Sequence, residues 1–70
     1  MLSYKPLWHT LLNKNIKKLE LCHMAGISTA TLAKLGKNEN LNTDMLNKIC
    51  NALNCRIEEV VEFIPDSIEY

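Results

Sequence analysis

The sequence predicts an all-α fold of five short helices around one core, and three observations carry that expectation. Apolar residues recur at spacings of three and four along most of the chain. Gly26 and Gly36 fall where two of these runs end. The 70 residues, 47% of them apolar, suffice for a single domain, and two Gly with two Pro are too few for a disordered composition. A chain this short buries only about 60% of its unfolded surface, so the core must be small. Residues 1–64 form the expected domain and 65–70 a tail.

Pro6 opens the first helix, in a first-turn position where its missing amide has no partner to lose. Leu7, Trp8, Leu11 and Leu12 follow the helical period as the buried stripe. Trp8 reads as a core or half-core residue in preference to a platform for stacking bases, because it lies three to four residues from Leu11 and Leu12. Asn13-Lys14-Asn15 ends the helix.

The stretch from Lys17 to Leu35 organises the rest. Leu21 and Ala25 are four apart, Leu32 and Leu35 three apart; with Cys22 and Ile27 they let two short helices bury a common face about a corner at Gly26. Gly26 can turn the backbone through a left-handed conformation, and Ser28 offers a hydroxyl to the free amides of the second helix. This is the pattern of a helix-turn-helix. Its second helix would present Thr29, Ala30, Ala33 and Lys34 outward, a face small and polar enough for a DNA major groove. The first of the two helices starts poorly. Lys17 stands at the cap, Glu20 supplies only half of a capping box, and Lys17 and Lys18 oppose the helix dipole. Lysines kept at such an end suggest service to something outside the domain; the alternative is two solvated side chains.

Gly36 is suited to a left-handed cap after Leu35. Asn42 or Thr43 caps a fourth helix, with Asp44 in its first turn and Leu46, Ile49, Cys50 and Leu53 as its stripe. Asn54 ends that helix in a left-handed conformation. Residues 57–62 are expected as a short fifth helix, with Ile57, Val60 and Val61 closing the core, although Arg56 is a weak start. Pro65 breaks the pattern. In the tail, Ile64, Ile68 and Tyr70 are expected either to pack back on the first helix or to supply a dimer contact.

Charge is unevenly spread although the net is zero. Residues 1–37 hold six Lys against the single Glu20, while residues 38–70 hold Lys48 and Arg56 against seven carboxylates. A basic half containing the helix-turn-helix suits attraction to phosphate, and the acidic half would turn away from DNA. The three cysteines, Cys22, Cys50 and Cys55, form no Cys-x-x-Cys pair and read as small buried residues in a reducing compartment, with no metal site and no disulfide framework. The chain has no membrane-length apolar run, and the apolar stretch after Lys5 is too short for a signal peptide, so the protein is expected to remain in the cytoplasm. Paired carboxylates, a nucleophile beside a base and a phosphate-binding Gly loop are all lacking, so no catalytic residue and no cofactor are expected.

The run LELCHMAGISTATLAKLGK, followed by LNTDMLNKICNALNCRIEEVVE, resembles the Cro/CI-type (XRE-like) helix-turn-helix domain of phage repressors and small bacterial regulators. It is most similar to the compact single-domain branch, whose third helix ends in Leu-Gly-Lys and whose fourth carries Ile-Cys-x-Ala-Leu-x-Cys. The resemblance covers Pro6 to Phe63 and implies a five-helix lambda-repressor-like DNA-binding domain. It implies that Lys18 grips the DNA backbone, that Thr29 and Ala30 face bases, and that Lys34 does so one turn later. It gives Lys37, and more weakly Asn38, phosphate contacts from the loop. Ser28 leaves its helix's first amides near a phosphate, and Thr31 reads as a phosphate or edge contact.

The expected function is sequence-specific binding of double-stranded DNA in transcriptional regulation, with repression as the commoner implication, through insertion of helix 28–35 into the major groove. That face carries no Arg, Gln or Asn for a bidentate base contact, so discrimination by one copy would be weak. A weak homodimer reading two half-sites would compound it. No small-molecule effector is evident. The alternative is a protein-interaction adaptor or antitoxin-like module that keeps the helix-turn-helix scaffold while its acidic half and apolar tail bind another protein.

Overall fold

The computed structural model describes residues 1–65. Four α-helices, α1 (Lys5–Asn13), α2 (Lys18–Ala25), α3 (Thr29–Gly36) and α4 (Thr43–Leu53), are followed by a 3-10 turn over Ile57–Glu59. Two short strands, β1 (Leu2–Ser3) and β2 (Glu62–Phe63), pair antiparallel with Leu2 opposite Phe63 and Ser3 opposite Glu62. The expected fifth helix is therefore corrected to a single 3-10 turn, and the fold is four helices with a two-stranded sheet. Arg56 gives the turn no side-chain cap. The β-branched pair Val60-Val61 disfavours continuing it, and the chain must straighten so that β2 can meet β1.

Local chemistry accounts for each junction. Gly26 ends α2 at φ 68° and ψ 36°, and its N–H, like that of Ile27, reaches the Cys22 carbonyl. Ser28 Oγ accepts the Thr31 N–H at 3.2 Å, capping α3 as expected. Asn42, not Thr43, caps α4, its Oδ1 accepting the Met45 N–H at 2.8 Å. Asn54 closes α4 at φ 50°. At Lys17 only the expected half of a capping box exists: its N–H donates to Glu20 Oε1 at 3.0 Å, and its ammonium, having no lone pair, cannot return the bond.

Tyr4, Leu7, Leu21, Leu35, Ile49 and Val60 are wholly buried at the centre. α2 lies against α3 and α4, while α1 packs on the 3-10 turn, where the Thr10 hydroxyl donates to the Glu59 carbonyl at 2.6 Å. Several expected core positions differ. Leu12 is 78% exposed, because Leu7 and Leu11, four apart, define the buried stripe and Leu12 is rotated out of it. Leu12 and Leu19, itself 62% exposed, instead help wall an open apolar groove at the α1–α2 corner, floored by Trp8, Leu11 and Ile16. Ile57, expected to close the core, is 49% exposed because the 3-10 turn directs Val60 inward in its place. Leu32 is only half-buried beside the fully buried Leu35. The expected packing or dimer contact of Ile68 and Tyr70 lies outside the described residues; Ile64, the described member of that group, is exposed.

Candidate nucleic-acid interface

Capping by Ser28 fixes where α3 begins, and Leu35 with half-buried Leu32 fixes which side faces inward. At 3.6 residues per turn, Thr29, Ala33, Lys37, Ala30 and Lys34 then fall in that angular order over an arc of roughly 140°, and all five are exposed. Thr31 lies off this arc and is half-buried. Its Oγ1 is 3.2 Å from Ser28 Oγ, so the two hydroxyls serve each other at the helix start. The expected base-facing set, Thr29, Ala30 and Lys34, is thus brought onto one face, while Ser28 and Thr31 stand at its N-terminal edge.

The end of α3 departs from expectation in a useful way. Gly36 remains inside the helix, and the left-handed residue is Asn38, at φ 56°. Asn tolerates this conformation better than most residues, and the closure is completed by the Glu39 N–H donating to the Lys34 carbonyl at 3.0 Å. Lys37 is consequently the residue that ends the helix and joins its outward arc, where a loop position was expected. Asn38 Oδ1 is already engaged, accepting the Tyr4 N–H at 3.0 Å. Tyr4 holds the same loop a second time, its buried hydroxyl donating to the Glu39 carbonyl at 2.8 Å. The backbone beyond Lys37 is therefore clamped to Tyr4, the residue between β1 and α1.

At the other flank, Lys18 occupies the first turn of α2, exposed, with its ammonium 4.7 Å from the centroid of the Trp8 ring. All six lysines of residues 1–37 are exposed. Among the described residues, no group of three or more His, Cys, Asp or Glu could hold a metal ion, and no helix is long and apolar enough to cross a membrane. The cysteines are free thiols, Cys22 buried and the other two half-buried.

Comparison with known proteins matches residues 6–66 to the Cro/C1-type HTH DNA-binding domain. The chain belongs to this family. A solved structure of the transcriptional regulator VanUg is 43% identical and superposes with a TM-score of 0.87, covering 93% of this chain and 87% of that one. No curated protein matches the chain.

Within this Cro/C1-type domain, reading the sequence alone missed two contributors. Tyr4 was legible only as the start of the first helix, since its partners Asn38 and Glu39 lie 34 and 35 positions away. The Trp8–Lys18 pair had a weak signal, an aromatic and a cation flanking one helix–helix corner, which does not by itself give proximity.

Proposed function

We propose that this Cro/C1-type domain binds double-stranded DNA sequence-specifically and regulates transcription by occupancy, as a repressor, in the cytoplasm and without catalysis. Residues 1–64 act as the binding domain and 65–70 as its tail. The observation that carries the reading is the outward arc of α3: a helix capped at its start, anchored by Leu35, and presenting only small or basic side chains. Such a surface enters the major groove without steric conflict. Thr29 donates or accepts at a base edge, the Ala30 methyl meets a thymine methyl, and Lys34 reaches guanine acceptors or the backbone. Lys18 and Lys37, at either side, take phosphates, with Ser28, Thr31 and the remaining amide of Asn38 at the margins. The basic first half, which carries the reading helix, attracts the phosphates.

Sparse polar readers favour a weak homodimer that doubles the number of bases read. The exposed apolar residues Ile57 and Phe63, the latter 68% exposed, support an association surface on the half opposite in charge to the reader.

Competition binding at fixed salt tests the docking. Lys37→Ala should weaken promoter and random DNA by similar factors and lower the salt slope by about one. Thr29→Ala should instead narrow the gap between the two DNAs, by roughly 1–3 kcal/mol, with helix content unchanged. Variants at both positions that bind like the parent would remove the docking and leave the protein-interaction module as the better reading.

A further inference from the structure

Lys18 is placed where a lysine is least comfortable. It lies in the first turn of α2, where free amides and the helix dipole repel a cation, and Lys17 stands beside it. The one carboxylate of this half, Glu20, directs an oxygen to the Lys17 backbone N–H. The Lys18 ammonium is nevertheless over the Trp8 ring at 4.7 Å, inside the range at which an indole face attracts a cation. Trp8 is itself held. It packs against the buried cluster and is half-covered, so its ring is a fixed platform.

We propose that Trp8 is a positioning residue of the DNA interface, its ring holding the Lys18 ammonium ready for a backbone phosphate. The inference rests on Lys18 being a phosphate contact, as argued above. An ammonium has three N–H donors, and the ring face engages it from one side only, so donors remain for phosphate oxygens. A free lysine loses much of its rotamer freedom on binding; one already resting on a ring has lost it on folding, and binds with less ordering left to do. The ring belongs to the floor of the apolar groove at the α1–α2 corner, whose walls are Leu12 and Leu19 and whose lining includes Lys18. Trp8 need not touch DNA.

A double-mutant cycle in DNA affinity decides the matter, using Trp8→Leu, Lys18→Ala and the pair, with thermal melts confirming that each is folded. Trp8→Leu is expected to weaken promoter and random DNA alike by about two- to fivefold, with the salt slope unchanged because the lysine still neutralises a phosphate. Lys18→Ala lowers that slope by about one. In the Lys18→Ala background, Trp8→Leu should have no further effect, and Trp8→Phe in the parent should retain part of the affinity. An equal loss from Trp8→Leu in both backgrounds would make Trp8 a packing residue only and overturn the inference. A gain in affinity from Trp8→Leu would overturn it too, showing that the ring withholds the lysine. If Lys18→Ala costs affinity while Trp8→Leu costs none, the positioning role alone fails. If Lys18→Ala binds DNA with parental affinity and slope, the phosphate contact fails and the positioning role with it.

Discussion

Gly26→Ala and Gly36→Ala should move stability in opposite directions, although both positions are equally roomy. A methyl group at either would meet nothing within 4 Å, so the backbone alone sets the sign. Gly26 holds φ at 68°, where an L side chain costs about 1–2 kcal/mol, more than the about 0.4–1 kcal/mol gained by restricting the unfolded chain. Gly36 lies in the last turn of α3 in ordinary helical geometry, where Gly is about 0.5–1 kcal/mol worse than Ala. The two variants should differ by about 1.5 kcal/mol, equivalent to about 6–12 °C in melting temperature for a domain of this size. Thermal melts followed by circular dichroism, with urea titrations to confirm a constant m value, measure that gap directly. Equal melting temperatures, or a more stable Gly26→Ala, would refute the assignment of the corner to a left-handed glycine.

Leu35→Ala should cost about 2–5 kcal/mol, and Leu32→Ala clearly less, since only the former is wholly buried; denaturant midpoints give the order. Tyr4→Phe should cost about 0.5–1.5 kcal/mol and speed amide exchange in the loop after α3, because it frees the Glu39 carbonyl; unchanged exchange there would count against the clamp. Alkaline pH should destabilise the fold. Burial raises the Tyr4 phenol above its ordinary 10.0, and burial, helped by Cys50 and Glu59, raises the Cys55 thiol above its ordinary 9.0. Both contributions are complete below those ordinary values and disappear as pH climbs through the raised ones, so the melting temperature should hold through neutral pH and begin to fall near pH 9. Tyr4→Phe should flatten the later part of that fall.

Much of this was legible where local chemistry decides. Gly26, Ser28, Asn42 and Asn54 act through bonds to residues within a few positions, and such bonds follow from sequence spacing. Leu7, Leu11, Leu21, Leu35, Ile49 and Leu53 repeat at helical period and are buried. The family resemblance, carried by the Gly26 corner and the Leu-Gly-Lys ending of α3, agrees with the family match. What failed was long-range or marginal. Two-residue strands show no alternation, so the β1–β2 pair left no trace in the sequence. Gly36 drew the left-handed cap away from Asn38 because glycine is the commoner choice, yet the Asn38 side chain had a partner in Tyr4 that spacing could not reveal. Leu12 was placed in the buried stripe and is exposed, because a short helix can bury only one of the adjacent pair Leu11 and Leu12.

The β1–β2 pair joins the two ends of the described chain across some 60 positions through two strand residues on each side and the Met1–Ile64 bonds beyond them. Closing so long a loop yields few bonds in return, whereas the helical caps close over three to five residues. The ribbon should therefore be the last piece to form during folding and the first to unzip from the native state. Unzipping halts at Tyr4, whose ring is sealed in the core and whose amide and hydroxyl hold the loop after α3. The amide of Ile64, bonded to the Met1 carbonyl at 2.8 Å, should exchange with solvent through this small opening, while amides of α2 and α4 wait for global unfolding. Tyr4 thus divides the molecule into a peelable hem and a reader that stays shut when the hem opens.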